Sequence, residues 1–371
     1  MAVQARQVID WLEQLAPQRL ALEGDPVGLQ VGTLDRKVEK VLVTLDVTEA
    51  VAEEAARKGA QLIIAHHPPL YRPVRSINLN TPQGRLLARL IKEDLTVYAA
   101  HTNLDIAEGG LNDWLAERLG LQNCEVLAVT QHEVLKKLVV FVPKDYEERV
   151  RLALGDAGAG HIGLYSHCTF RTEGVGTFKP EEGANPFIGS AGTIEQVEEV
   201  RLETIFPAHL EAKVVAAMME AHPYEEVAYD IYTLDQKGKA YGLGRIGQLE
   251  KPMTLAEFAL HVKNMLNVPF CRVVGPEDAR VHKVAVLGGD GNKYVQHALQ
   301  KGADVYVTGD LYFHTAQDAY HAGLYLVDPG HHAEKIMMEG LRQALDKQAK
   351  LHHAEVEIII SEVDTNPFHR I

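Results

Sequence analysis

A chain of 371 residues, 46% hydrophobic and 24% charged, has the composition of a folded globular protein and is too long for one ordinary core, so two or three domains are expected. Its formal charge of −14 offers no general basic face to a phosphate backbone, which counts against nucleic acid as a partner. The three scattered cysteines form no C-x-x-C pair and read as reduced thiols, and no apolar run approaches the roughly 20 residues that span a membrane.

The amphipathic run MAVQARQVIDWLEQLAP reads as a first helix and not as a signal peptide, so the expected location is the cytoplasm. From Lys40, KVLVTLDVTEAVAEEAARKGAQLIIAHH reads as strand, helix, glycine turn and strand, a parallel βαβ pattern. Its last strand, LIIA, delivers His66 and His67, and Pro68 and Pro69 stiffen the exit. Thr81 and Pro82 start a helix as N-cap and first-turn proline. A further buried run, LTVYAA, leads into HTNLD, which carries His101 and Asp105. From about His132 to Asp235 the order becomes strand, helix, strands, helix, strand, which predicts a ferredoxin-like split βαβ module with a helix over 208–221. A second βαβ pattern, KVAVLGGDGNKYVQHALQKGADVYVTGD, begins at Lys283. The last buried run, LYLV, precedes DPGHHAEK, with His331 and Glu334.

The two βαβ stretches align without a gap, Lys40 with Lys283 and Lys58-Gly59-Ala60 with Lys301-Gly302-Ala303. That constant offset favours duplication over two unrelated βαβ units. His66 then falls opposite Gly309 and His67 opposite Asp310, at the carboxyl ends of strands, where α/β sheets bind ligands. The expected fold is α/β: a duplicated α/β metal-binding domain, residues 1–131 and 236–371, split by an inserted α+β ferredoxin-like domain over 132–235.

Any one of the polar segments alone reads as a strand cap or the start of a solvated helix. Gathered at strand ends, His66, His67, Asp105, His331 and Glu334 predict a divalent metal site. Nitrogen and oxygen donors without thiolate suit zinc first, with iron(II) or manganese as alternatives. Adjacent histidines point to opposite faces of a regular strand, but at a strand end they can diverge towards two neighbouring ions. His331 and Glu334 share a face if a helix begins there, and the Glu334 carboxylate is suited to bridging. His101 is a candidate catalytic residue close to the metals, in a supporting or proton-transfer role. His314 is a candidate for substrate contact, with a structural role as the alternative; Asp310 is a candidate lining residue, and His332 is expected to turn away.

HHPP, HTNLD followed by GGLND, and TGDLYFH followed by DPGHH resemble the NIF-three-like dinuclear metal-centre family, whose members carry the name GTP cyclohydrolase 1 type 2 homologue. GDPVGLQVG resembles that family's N-terminal signature, and the resemblance runs over essentially the whole chain. It implies two divalent ions per chain on His66, His67, Asp105, His331 and Glu334, and a toroidal homohexamer with its sites facing an internal cavity. It also implies a long form with a PII- or CutA-like insert, HPYEEVAYDIY being similar to a CutA segment.

The expected function is a dinuclear-metal-dependent hydrolase in which metal-activated hydroxide attacks a purine ring, amidine, amide or phosphoester of an unidentified small molecule. GTP cyclohydrolase-like activity is what the family name implies. There is no Walker loop, and GGDGN at 288–292 is too short to serve as one. The alternative is a metal-binding regulatory or sensor protein without turnover. Product formation in proportion to metal occupancy separates the two.

Overall fold

The computed structural model describes residues 3–368, which form a mixed α/β fold in two compact units. One takes the described residues up to Gln131 and those from Tyr241 onward; the other is His132–Ala240. The chain passes from one to the other on two long strands, Gln122–Pro143 and Tyr229–Thr254. Among the described residues no helix is long and apolar enough to cross a membrane.

The first unit contains two parallel strand triplets. Lys40–Thr44, Leu62–Ala65 and Thr96–Ala99 pair in parallel, flanked by Glu357–Ile360 in parallel and Gly28–Val31 antiparallel. Arg280–Asp290, Val305–Gly309 and Tyr325–Asp328 pair likewise, with Arg272–Val274 antiparallel at the edge. The middle strands are buried along their whole length, as continuous apolar runs in a doubly covered parallel sheet require. Val41, Val43, Leu62 and Ile64 share one apolar core with Val284, Val286, Val305 and Val307.

The two triplets use the same local devices. Gly59 closes helix Glu49–Lys58 at φ +71°, and Gly302 follows helix Val295–Gln300 at φ +70°, conformations that suit glycine. The Gln61 side chain accepts the Lys40 N–H at 3.0 Å, and the Asp304 side chain accepts the Lys283 N–H at 2.7 Å. Residues 61 and 304 are partners in the gap-free alignment, and each passes its carbonyl to the third strand, at Thr96 and Tyr325. Asn112 ties the triplets together: its Nδ2 donates to the Asp105 carbonyl at 2.9 Å while its Oδ1 accepts the Gly288 N–H at 3.0 Å.

In the second unit the strand order is 229–254, 122–143, 195–207, 169–178, with Gln122–Pro143 and Thr169–Phe178 both antiparallel to Glu195–Pro207. Helices Glu147–Asp156 and Glu211–Ala221 contribute Val150, Leu154, Val214 and Met218 to a core with Leu138, Val140, Leu202 and Phe206. The helix expected over 208–221 opens as a 3-10 turn, Ala208–Leu210. The Gly- and Pro-rich loop 179–194, between strands Thr169–Phe178 and Glu195–Pro207, is pinned by Phe187, whose ring centroid lies 5.5 Å from that of Tyr146 and 6.3 Å from that of Tyr224.

Candidate metal centre

Three strand ends of the first unit deliver the polar residues. Past Leu62–Ala65 the backbone keeps its sheet direction, His66 N donating to Thr44 O and His67 N to Leu45 O. Past Thr96–Ala99, His101 caps the short helix Thr102–Ile106, which carries Asp105. Past Tyr325–Asp328, Gly330 turns the chain at φ +83°. His331 and Glu334 then lie on a 3-10 turn, His331–Lys335, and not on the α-helix expected, which begins only at Ile336. Residues three apart eclipse in a 3-10 helix, so the pair faces one way more strictly than α geometry would give.

Each imidazole is fixed at Nδ1; Nε2 of His67 and of His331 meets Glu334, and Nε2 of His66 is left unpaired. His66 Nδ1 donates to the Ala100 carbonyl at 2.8 Å, His67 Nδ1 meets Asp46 at 2.7 Å, His101 Nδ1 meets Asp25 at 2.8 Å and His331 Nδ1 meets Asp310 at 2.7 Å. Such partners set tautomer and ring orientation. Glu334 sits among them, 3% exposed. Its Oε1 is 3.8 Å from His66 Nε2, and its Oε2 is 3.2 Å from His67 Nε2 and 3.1 Å from His331 Nε2. Asp105 Oδ1 is 3.6 Å from His66 Nε2.

Three overlapping groups result, each able to hold a metal ion: His66, Asp105 and Glu334; His67, His331 and Glu334; His66, His67 and His101. The donor set fits a cation on one specific observation: His66 Nε2 and Asp105 Oδ1 are both buried and neither has a hydrogen-bond partner. Two facing acceptors left unpaired in the interior are costly, and a shared cation satisfies both.

Electrostatics follow the same crowding. Burial pulls the His67 imidazole down, but hydrogen bonds to Asp46 and Glu334 outweigh it and carry its pKa up to about 10. At His331 the hydrogen bond to Glu334 raises the value, against burial, to about 9. Burial lifts Asp105 to about 6, opposed by the neighbouring His66. Burial also opposes ionisation of Glu334, yet hydrogen bonds from His331 and His67 and the charge of nearby His66 hold it well below the usual carboxylate range.

The GGDGN run has a steric role here. A Cβ on Gly288 or Gly289 would stand 2.9 or 2.8 Å from Glu334 Oε1, so the two glycines leave room for the carboxylate. A Cβ on Gly309 would stand 2.8 Å from the His331 backbone nitrogen.

The structure brings His66, His67, Asp105, His331 and Glu334 together, with His101 beside them, its ring centroid 5.1 Å from that of His66. His314 is exposed, edge-on to Phe313 at 5.3 Å, and belongs to none of the three groups. His332 lies 3.5 Å from Asp364, and Asp310 supports His331. Asp46 and Asp25 were not singled out in the sequence. Asp46 stands two places past a buried strand, and Asp25 lies in GDPVG, but their partners emerge only once the strands are in register.

A family model described as Duf34/NIF3 (NGG1p interacting factor 3) matches residues 3–367. A Bacillus subtilis (strain 168) protein named GTP cyclohydrolase 1 type 2 homolog is 58% identical over 367 residues, covering 99% of this chain and 98% of its own. The crystal structure of a Bacillus cereus protein related to NIF3 superposes with a TM-score of 0.95 at 54% identity over 100% of both chains. That of a Staphylococcus aureus protein gives 0.80 at 32% identity, over 100% of this chain and 99% of the other.

Proposed function

The chain belongs to the Duf34/NIF3 family, and from that premise we propose that it is a hydrolase dependent on two divalent cations held in the His–carboxylate cluster. The observation that carries this reading is the division of Glu334: one carboxylate oxygen faces His66, and the other faces His67 and His331. His66 and Asp105 would hold one ion, His67 and His331 the other, with Glu334 bridging. Zinc suits this thiolate-free set, with iron(II) or manganese as alternatives. When bound, such a pair makes water more acidic and stabilises attacking and leaving oxygens.

The chain's own residues supply the remainder. Asp46 and Asp310 hold two imidazoles in the orientation a ligand needs. Asp25 fixes His101 at Nδ1 and leaves its Nε2 for proton transfer at the reacting centre. The name shared by the curated relatives points to GTP ring hydrolysis as the first reaction to test, in a homohexamer located in the cytoplasm. The exposed Tyr71, Ile77 and Leu79, on the segment that follows His67, give such an assembly apolar surface to cover.

The matched hydrogen bonds at Gln61 and Asp304 support an origin of the first unit by duplication. The second unit's strand order supports a ferredoxin-like, PII- or CutA-like insert. That order also favours the other reading, a metal-holding sensor whose insert answers a small molecule. The test is a screen of zinc-, manganese- and iron-loaded protein against GTP, other nucleotides, phosphoesters and small amides. Turnover rising in proportion to metal occupancy supports the hydrolase. Full occupancy with no product from any of them hands the assignment to the sensor.

A further inference from the structure

Segment 361–368, which follows strand Glu357–Ile360, runs back to the first strand triplet. It is tied at its start by Glu54, 2% exposed, which accepts from the Ser361 hydroxyl and from the Glu362 N–H at 2.9 Å and pairs with Lys58 at 2.8 Å. Val363 packs against the apolar group around Leu42, Val51 and Ile63. Two side-chain turns shape the rest: Asp364 accepts the Asn366 N–H at 3.0 Å, and Asn366 accepts the Phe368 N–H at 3.1 Å. The segment thereby touches two residues that border the cluster. Asp364 lies 3.5 Å from His332, next to His331, and the Thr365 hydroxyl donates to Asp46 Oδ2 at 2.5 Å.

We infer that segment 361–368 is a strap that positions the metal ligand His67 through Thr365 and Asp46, an inference that rests on the dinuclear reading given above. Asp46 uses Oδ1 for His67 and Oδ2 for Thr365. A carboxylate held at one oxygen rotates easily, because its terminal torsion is broad. A second donor on the other oxygen fixes the carboxylate plane, and with it the ring that carries Nε2 towards Glu334. His66, held by a backbone carbonyl, has no such dependence. The strap therefore acts on one ion of the two. Thr365 is a positioning residue and touches no ligand position itself.

The test is a two-site Zn2+ titration of full-length protein against a chromophoric chelator, with Thr365→Val and Thr365→Ser beside wild type. Loss of a partner behind a ligating histidine typically weakens binding about 10- to 100-fold. Thr365→Val is expected to show that loss for one ion only, and Thr365→Ser, which keeps the hydroxyl, to bind like wild type. Unchanged affinities in Thr365→Val, or an equal fall in both variants, would overturn the strap. The same variants are also compared metal-free, by the 15N resonance of His67 Nδ1. If wild type takes up no zinc, the dinuclear reading falls by itself. The strap then stands if Thr365→Val moves that resonance while Thr365→Ser does not, and fails if neither moves it.

Discussion

The two strand triplets of the first unit are alike in their scaffolding and unlike at their rim. Glycines at φ +71° and +70° end their helices, and Gln61 and Asp304 bind the backbone of equivalent lysines. At the ends of the middle strands they part: one presents His66 and His67, the other Gly309 and Asp310. The first places imidazoles directly against the centre. The second clears space, since a side chain at Gly309 would strike the His331 backbone, and supplies the carboxylate that orients His331. Aligned positions carry a candidate ligand on one side and the support of a candidate ligand on the other.

The largest expected effect falls on the residue shared by both sides. Glu334→Gln keeps the shape and removes the charge that two half-sites share, so metal content should drop from about two per chain to none, by elemental analysis after reconstitution. Retention of one ion would show that Glu334 serves a single half-site.

Acidity comes next. With His67 and His331 raised to about 10 and 9, both rings are expected to carry an added proton at neutral pH in the metal-free protein. A cation needs them neutral, so binding must release protons, and affinity should fall by up to about tenfold per pH unit for each proton displaced. The fall should begin as pH drops below about 10 and steepen below about 9, with a plateau above about 10. Zinc titration from pH 6 to 10 with a proton-release readout checks the sign.

The support residues sharpen the comparison. Asp46→Asn and Asp310→Asn follow strands of different triplets, yet both stand behind candidate ligands of the same group, His67 and His331. Each should weaken one ion by about 10- to 100-fold and spare the ion on His66 and Asp105. Effects on different ions would break the assignment of the three groups.

The smallest effects belong to the shared scaffold. Gly59→Ala and Gly302→Ala meet no neighbour within 4 Å but impose a side chain on a left-handed residue. Each should lower stability by about 1–2 kcal/mol in chemical denaturation and leave metal content unchanged.

The clustering of these residues was legible because a His pair after LIIA, an Asp after a second buried run and a His–Glu pair after a third all mark strand ends. The repeat added that Asp310 shares the position of His67. What escaped the sequence depends on register and on long separations. Thr365 and Asp46 stand 319 residues apart, and nothing local marks either as the other's partner. Gly288 and Gly289, in a run too short for a phosphate loop, prove to be clearance for Glu334, a demand visible only once that side chain is placed. The turn at His331 looked helical because i,i+3 spacing serves α and 3-10 geometry alike.

The central claim is that two cations occupy half-sites divided between the oxygens of Glu334, and counting metal in wild type and His67→Ala tests it most directly. The account predicts about two ions per chain in the reconstituted wild type and about one in the variant, which keeps its fold by circular dichroism. A ceiling of one ion in wild type, or loss of both in a folded His67→Ala, would contradict it.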